Sequence, residues 1–353
     1  VVTGHTGFKG GWLSLWLNAL GAKVTGIALA PESGPSFFDA SGINLITDSR
    51  FADITKPAEL DAAFAGLDAE VVFHLAAQSL VRRSYVRPIE TFLTNVIGTA
   101  QVLEAARKMP SLRAVVVVTS DKSYDNKGWI WGYRESDPMG GDDPYSASKG
   151  CAELLTASYR RSFFAAKDGP YVASARAGNV FGGGDWSEDR LIPDIVNAIL
   201  AGNAPLIRNP ASIRPWQHVL EPLSGYLALA HRMMTDGTAF AEAWNFGPDL
   251  DETVDVGSLV GLFAKAWPEP TKPPIINRPE NAPHEAAVLR LDSTKAATLL
   301  GWRPQLDLED AVGLTVEWYR AFAQGADMTR HSLRQIETFG ARMDGDRASG
   351  RTT

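Results

Sequence analysis

The chain of 353 residues holds a single cysteine, Cys151, and only six histidines. One cysteine excludes an internal disulfide, and no cysteine or histidine cluster has the spacing of a zinc site. No apolar run is long enough to cross a bilayer. Acidic residues outnumber basic ones, 41 against 34, and a net charge of −7 with a pI near 5.5 argues against a nucleic-acid surface. No internal repeat or low-complexity tract is present. What remains is the composition of an ordinary soluble globular protein, long enough for one large or two intimate domains and expected in the cytosol. The sequence opens inside a strand with no initiator methionine, so a short N-terminal piece is expected to be missing. Cys151 reads as a small helix residue near the core.

The most informative residues are Tyr145-Ser146-Ala147-Ser148-Lys149, which follow an apolar run ending in Thr119-Ser120-Asp121-Lys122. On a helix, Tyr145 and Lys149 share a face, so the ammonium is expected beneath the phenol, favouring its phenolate. An ordinary phenol, with a pKa of about 10, is a poor base at neutral pH, so this pairing suits removal of a proton from a carbinol. An isolated Tyr/Lys pair is more often surface decoration, but this one accompanies a nucleotide loop. Val1-Val2-Thr3-Gly4-His5-Thr6-Gly7-Phe8-Lys9-Gly10-Gly11 runs from a strand through glycines into the helix-like Trp12 to Leu17. Glycines let backbone approach a pyrophosphate, whose charge is met by N–H groups at a helix N-terminus. The spacing is Gly-x-x-Gly-x-x-Gly, and the expected ligand is a dinucleotide.

Apolar strand-like runs recur at Lys23–Leu29, Glu70–Leu75, Ala114–Thr119 and Tyr171–Arg176, separated by segments of helical period at Trp12–Leu20, Thr91–Arg107 and Tyr145–Phe163. That alternation predicts an α/β protein with a Rossmann-like, doubly wound parallel sheet and a smaller C-terminal substrate-binding domain. The expected division is 1–180 for the cofactor domain and 181–330 mainly for the substrate domain, with part of 216–248 returning to the first. Beyond Gly325 the apolar period fades, and 331–353 reads as a C-terminal tail, polar and frayed from Arg342 onward.

Over nearly its whole length the chain resembles the extended short-chain dehydrogenase/reductase family. The resemblance rests on the glycine loop, Tyr145/Lys149, Asp53-Ile54, His74-Leu75-Ala76-Ala77-Gln78, Thr94-Asn95-Val96-Ile97-Gly98-Thr99, Arg176 to Gly182 and Leu191-Ile192-Pro193. It implies cofactor contacts from Gly4, Thr6, Gly7, Phe8, Lys9 and Gly10. Asp53 and Ile54 would meet the adenine, and Leu75, Ala76, Ala77, Gln78 and Asn95, with Tyr145 and Lys149, would line the rest of the cofactor. NAD is favoured over NADP, because no arginine follows the second strand to welcome a 2′-phosphate. Glu32 stands where an acidic reader of the 2′-hydroxyl is sought, or the ribose is held otherwise. A homodimer, with higher assembly left open, is implied for helices near Thr91–Arg107 and Tyr145–Phe163.

Ser120-Asp121-Lys122, with His5 to Gly10, Asp125-Asn126, Trp131 to Glu135, Gly183 to Trp186 and Arg214 to Val219, is similar to the CDP-glucose 4,6-dehydratase branch of that family. This resemblance implies CDP-glucose as partner, Tyr145 as base at the C4 hydroxyl with Ser120 positioning it, and Asp121 as acid at the C6 hydroxyl. Lys122 stands where related dehydratases carry a glutamate base. It would have to lose its proton first, or donate to a developing enolate while another group takes the C5 proton. Arg214 is the leading diphosphate ligand, because its planar fork engages phosphate oxygens in pairs, with Arg190 and Arg208 next. The resemblance adds Asn179 at the phosphate or sugar, Leu191, Ile192 and Pro193 around the base, and His284 at the nucleotide. Another nucleotide-sugar dehydratase or epimerase, or a cofactor-binding regulator without catalysis, would share the sheet and glycine loop.

Overall fold

The computed structural model describes residues 1–166, 169–249, 254–277 and 288–348, with side chains to residue 345. At its centre lies a seven-stranded sheet. It contains β1 (Val2–Thr3), β2 (Val24–Ala28), β3 (Thr47–Phe51), β4 (Val71–His74), β5 (Ala114–Val118), β6 (Tyr171–Arg176) and an edge strand at Ala243–Asn245. β1 pairs in parallel with both β2 and β4, while β3 continues from β2, and β5, β6 and the edge strand continue from β4. The chain therefore winds outward from β1 in one direction and then in the other. The crevice left at the carboxyl ends of β1 and β4 is where such sheets bind ligands.

Burial explains which strands the apolar pattern reveals. All five residues of β5 are buried, and they read Ala-Val-Val-Val-Val. β3 has a single neighbour and reads Thr-Asp-Ser-Arg-Phe, half exposed, so no apolar run announces it. After Val180–Phe181 pairs with Gln217–His218, the helix Leu220–Asp236 packs on β5 and β6, and Ala243–Asn245 joins β6.

Two expectations need correction. Residues 331–348 belong to a helix, Met328–Ala348, rather than to a tail. Ile336 and Phe339 are buried, and Phe339 meets Trp16 of the first helix (Phe8–Ala19) edge-on at 5.7 Å. The few apolar residues of this helix lie on one face, so low average hydropathy conceals a packed stripe. Cys151 is exposed, because it faces away from the sheet on the helix Pro144–Phe163.

That helix, called the catalytic helix below because it carries the candidate pair Tyr145 and Lys149, is anchored by a polar device that apolar periodicity does not signal. Asp143 caps it by accepting from Ser146 N at 2.9 Å, and Pro144 occupies its first turn. Two turns after Tyr145, Glu153 lies 3% exposed and pairs with the equally buried Arg176 of β6 at 2.7 Å. Thr119 and Ser174 also donate to the Glu153 carboxylate. Arg176 donates onward to the Tyr124 hydroxyl at 2.7 Å, which donates to Asn245 of the edge strand at 2.7 Å. One carboxylate thus ties the catalytic helix to β5 and β6. Burial pushes its pKa up, but Arg176 and the hydroxyl donors outweigh that and hold it below the ordinary value.

Removing one partner of such a buried pair leaves an uncompensated charge, at a cost of roughly 3–5 kcal/mol. Arg176→Met is expected to lower stability by about that amount at neutral pH in urea unfolding, and a loss under about 1 kcal/mol would contradict this reading. Because the folded-state pKa of Glu153 is depressed, its contribution is complete above the ordinary glutamate value of 4.5 and is lost as pH falls through the folded value.

Candidate active site

The crevice is built by three loops at the carboxyl edge of the sheet. In the first, Gly4 has φ of +79°, and a Cβ there would stand 2.8 Å from Ala76 N; a Cβ on Gly10 would stand 2.0 Å from Gly4 O. Only glycine permits the turn and the tight seat of the first helix on it. Gly7 stands at the N-cap without side-chain capping, so the helix N-terminus faces the crevice with its N–H groups, a setting suited to pyrophosphate. Thr6 donates to Leu29 O at 3.0 Å, bracing this loop against the end of β2.

The second loop, after β4, is fastened by buried polar contacts. Thr3 Oγ1 meets His74 Nδ1 at 2.7 Å, and His74 Nε2 meets Thr99 Oγ1 at 3.0 Å. Burial pushes His74 down to about 3, so it is neutral. Thr3 Oγ1 also accepts from Leu75 N and Ala76 N at 3.2 Å each. Asn95 exchanges two hydrogen bonds with the Gln78 backbone and donates to Ser148 Oγ at 2.9 Å. The Gln78 amide is committed to Leu80 and Thr91. Asn95 and Gln78 therefore hold the loop and the catalytic helix in place. Asn95 sits in a π-helical turn, Leu93–Gly98, a widened turn of a type frequent at functional sites.

Past the end of β3, Asp53 accepts from Thr55 N and Thr55 Oγ1, while Ile54 is buried against Gly98. Glu32 is exposed and faces Arg83 at 3.5 Å. His5 turns away from the crevice, fully buried over Gly26, with Nε2 3.0 Å from Ser49 Oγ; burial pushes it down to about 4. Glycine cradle, uncapped helix N-terminus and apolar Ile54 together fit a dinucleotide.

The third loop, after β5, brings together the candidate proton-transfer residues. Ser120 caps a short turn, Asp121–Ser123, accepting from Lys122 N at 3.2 Å and donating to Asp121 Oδ1 at 3.0 Å. Asp121 is 2% exposed, and burial pushes its carboxyl up, against the opposing pull of Lys122, Ser120 and Arg214. Lys122 is half-buried beside it. Tyr145 is buried; burial raises its phenol, while a hydrogen bond with Ser120 and the charge of Arg190 lower it. Lys149 lies 5% exposed, its Nζ donating to Val118 O at 3.4 Å, with burial pushing it down to about 8 and Glu153 pulling it back up. The ammonium thus grips the end of β5, and the partner bonded to Tyr145 is Ser120. Lys9, expected only in the cofactor loop, extends into this centre. Burial, with Arg190 and Lys149, pushes it down to about 7, while Asp121 and Asp185 pull it up.

The residues expected on the substrate side divide. Arg190 joins the centre: it donates to Asp185 Oδ2 at 3.1 Å and to Ser79 Oγ at 2.9 Å, and its charge reaches Tyr145. Asp185, of Gly183-Gly184-Asp185-Trp186, is 3% exposed and orients that guanidinium, a role the sequence did not disclose. Arg214 is 6% exposed, donates to Ile213 O at 2.9 Å and faces Asp121. Arg208 is engaged farther out by Asp189 at 2.8 Å. Asn179 adopts a left-handed φ of +41° at the end of β6. Leu191 is half-buried, whereas Ile192 and Pro193 are buried in the first turn of the helix Leu191–Leu200. His284 lies outside the described residues.

Comparison with known proteins agrees with this geometry. The chain is 49% identical over 342 residues to the CDP-glucose 4,6-dehydratase of Salmonella typhimurium, covering 96% of this chain and 95% of that protein. It is 31% identical over 286 residues to the dTDP-glucose 4,6-dehydratase of Neisseria gonorrhoeae, covering 76% and 79%. The fold matches the UDP-glucose-4-epimerase of Stenotrophomonas maltophila, solved with NAD, at a TM-score of 0.78 with 22% identity, covering 92% and 98%. It also matches the dTDP-glucose 4,6-dehydratase of Streptomyces venezuelae, solved with NAD, at 0.74 and 24% identity, again covering 92% and 98%. The family model described as GDP-mannose 4,6 dehydratase matches residues 1–315, and the chain belongs to that family.

Proposed function

We propose that the chain is an NAD-dependent CDP-glucose 4,6-dehydratase, converting CDP-glucose to CDP-4-keto-6-deoxyglucose and water. The observation that carries this reading is Asp121: a buried carboxyl with a raised pKa, hydrogen-bonded to the same Ser120 that bonds Tyr145. An epimerase needs the base at C4. Only a dehydratase also needs an acid beside it for a departing C6 hydroxyl. The 49% identical Salmonella typhimurium relative supports CDP-glucose as the substrate.

NAD in the crevice supplies the hydride acceptor at C4 and the donor at C6. Tyr145, as phenolate, takes the proton of the 4-hydroxyl, with Ser120 holding the same oxygen and Arg190 favouring the anion. The C4 ketone acidifies C5. Lys122, once deprotonated, takes the C5 proton while Asp121 protonates the C6 hydroxyl, and water leaves. A proton returns to C5, so the product is the substrate less one water, with no net change in oxidation level. Arg190 and Arg214 receive the diphosphate, with Asn179 beside it, Leu191 to Pro193 bounding the base and Arg208 at the outer rim. We assign 1–180 with much of 216–248 to the cofactor half and the rest of 181–330 mainly to the substrate half. No described helix is long and apolar enough to cross a membrane, and a nucleotide-sugar reaction of this kind suits the cytosol.

Incubated separately with CDP-, dTDP-, UDP- and GDP-glucose, the NAD-loaded protein is expected to form a 4-keto product fastest from CDP-glucose. Equal or faster turnover of another nucleotide would reassign the substrate. Lys122→Met is expected to generate the reduced-cofactor absorbance on mixing with CDP-glucose while slowing product formation by roughly 10²–10⁴-fold. A folded variant in which that absorbance never appears would move Lys122 to oxidation or binding.

The partner proposed is a second copy. Ile89, Leu93 and Ile97 recur at one-turn spacing and are 72, 46 and 47% exposed, and Leu154 on the adjoining catalytic helix is 63% exposed. An apolar stripe across two packed helices suits a bundle formed with its own copy. Light scattering is expected to give a dimer for the parent and a monomer for the Leu93→Arg/Leu154→Arg variant. A monomeric parent, or a variant that still dimerises, would contradict this surface.

A further inference from the structure

The helix Leu220–Asp236 places Tyr226 behind the site. Its ring is fully buried, edge-on to Phe246 at 5.7 Å, with Lys9 Nζ 6.0 Å from its centroid. Its hydroxyl is buried with no hydrogen-bond partner among the described residues. Asp121 Oδ2 is in the same condition, because Ser120 serves only Oδ1. The phenol lies near enough to Asp121 and Tyr145 for their charges to act on it. Phe246, against which Tyr226 packs, donates its N–H to Arg176 O, while Asp121 N bonds to Ala177 O and Asp121 Oδ2 lies against Gly178. Leaving a buried donor and a buried acceptor unmade is costly, and here the two orphan groups border one segment, 176–178.

We propose that Tyr226 is a positioning residue for Asp121, its hydroxyl serving Oδ2 in both protonation states of the carboxyl, through one bridging water or after a side-chain rotation. The inference rests on the dehydratase reading. With Ser120 donating to Oδ1, the acid proton resides on Oδ2, and a hydroxyl can accept from it. Once that proton has gone to the C6 oxygen and the C–O bond has broken, the same hydroxyl can donate to the carboxylate left behind. A lysine or arginine could do only the second. Tyr226 itself neither gains nor loses a proton. The proton carried off in water comes from Asp121 and is balanced by the one that Tyr145 takes from the C4 hydroxyl. Lys9 from the first helix, Lys122 from the same turn, Arg214 from the strand Ile213–Arg214 and Tyr145 from the catalytic helix also face Asp121. They set the level from which Tyr226 shifts it.

Tyr226→Phe removes one oxygen and keeps the ring. The variant is expected to unfold like the parent and to form the reduced-cofactor absorbance at the parent rate with CDP-glucose, then to release product roughly 10–100-fold more slowly. Activity that requires protonated Asp121 is lost as pH rises through its pKa. With the carboxylate less stabilised, that limb should move to higher pH. In an Asp121→Asn background the same change should add less than about 2-fold. An unmoved limb, or fully additive losses, would overturn the proposal. Should the Phe variant not fold, fluorotyrosine placed at 226 alone is a stronger donor and should move the limb to lower pH; no movement is again decisive against it. Parent turnover measured alongside separates the two ideas, since failure of the dehydratase reading shows in the parent and failure of this proposal only in the variants.

Discussion

The buried carboxylate of Glu153 is the constraint on which the site depends. Its bonds to Thr119, Ser174 and Arg176 fix the catalytic helix against β5 and β6, and thereby fix Tyr145 over the end of β5, where Ser120 begins. Glu153 also stands one turn from Lys149 and is the charge that raises the lysine's pKa against burial. Tyr145, Lys149 and Glu153 therefore form one face of one helix: a buried phenol, a cation on the strand end and an anion whose charge reaches that cation. A buried ion pair is weak evidence for stability in general. Here it sets the position and charge of the residues beside the reacting atoms.

Burial then acts in one direction on four titratable groups of the centre, favouring the neutral form. It raises Tyr145 and Asp121 and pushes Lys149 and Lys9 down to about 8 and about 7. A carboxyl that keeps its proton can act as an acid, and amines with pKa values near neutrality can exchange protons without large driving forces. In the proposed reaction Tyr145, and Asp121 once it has given up its proton, ionise against this trend; Ser120 and Arg190 favour the Tyr145 anion. Arg190 is held by Asp185, so the loop Gly183 to Trp186 sets the position of the guanidinium whose charge acts on Tyr145.

The parallel sheet, the glycine loop and the Tyr145 helix were legible in the sequence because each leaves a local mark: continuous apolar runs, glycines at a strand-to-helix turn, a Tyr/Lys pair at helical spacing. The edge strands at 47–51 and 243–245 and the C-terminal helix were not, since a half-exposed strand or a helix with one narrow apolar stripe dilutes its pattern. Within the site, Ser120, Asp121 and Tyr145 lie together, while Lys149 from the same helix grips Val118 O rather than the phenol. The buried roles of Glu153, Asp185 and Tyr226 were invisible. Each depends on a partner far away in the chain, and nothing local distinguishes a buried Glu or Tyr on a helix from an ordinary one. Lys9 illustrates the converse, a residue assigned to the cofactor loop whose long side chain reaches the proton-transfer centre.

The central claim is that one closed site performs oxidation, elimination and reduction on a single sugar, with the hydride stored between C4 and C6. CDP-glucose carrying deuterium at C4 tests it most directly when converted in ordinary water and, separately, unlabelled substrate is converted in heavy water. The account predicts that the C4 deuterium reappears at C6 of the same product molecule, with solvent deuterium entering C5 and the cofactor unconsumed. Loss of the C4 label to solvent, or reduced cofactor accumulating free in step with product, would contradict it.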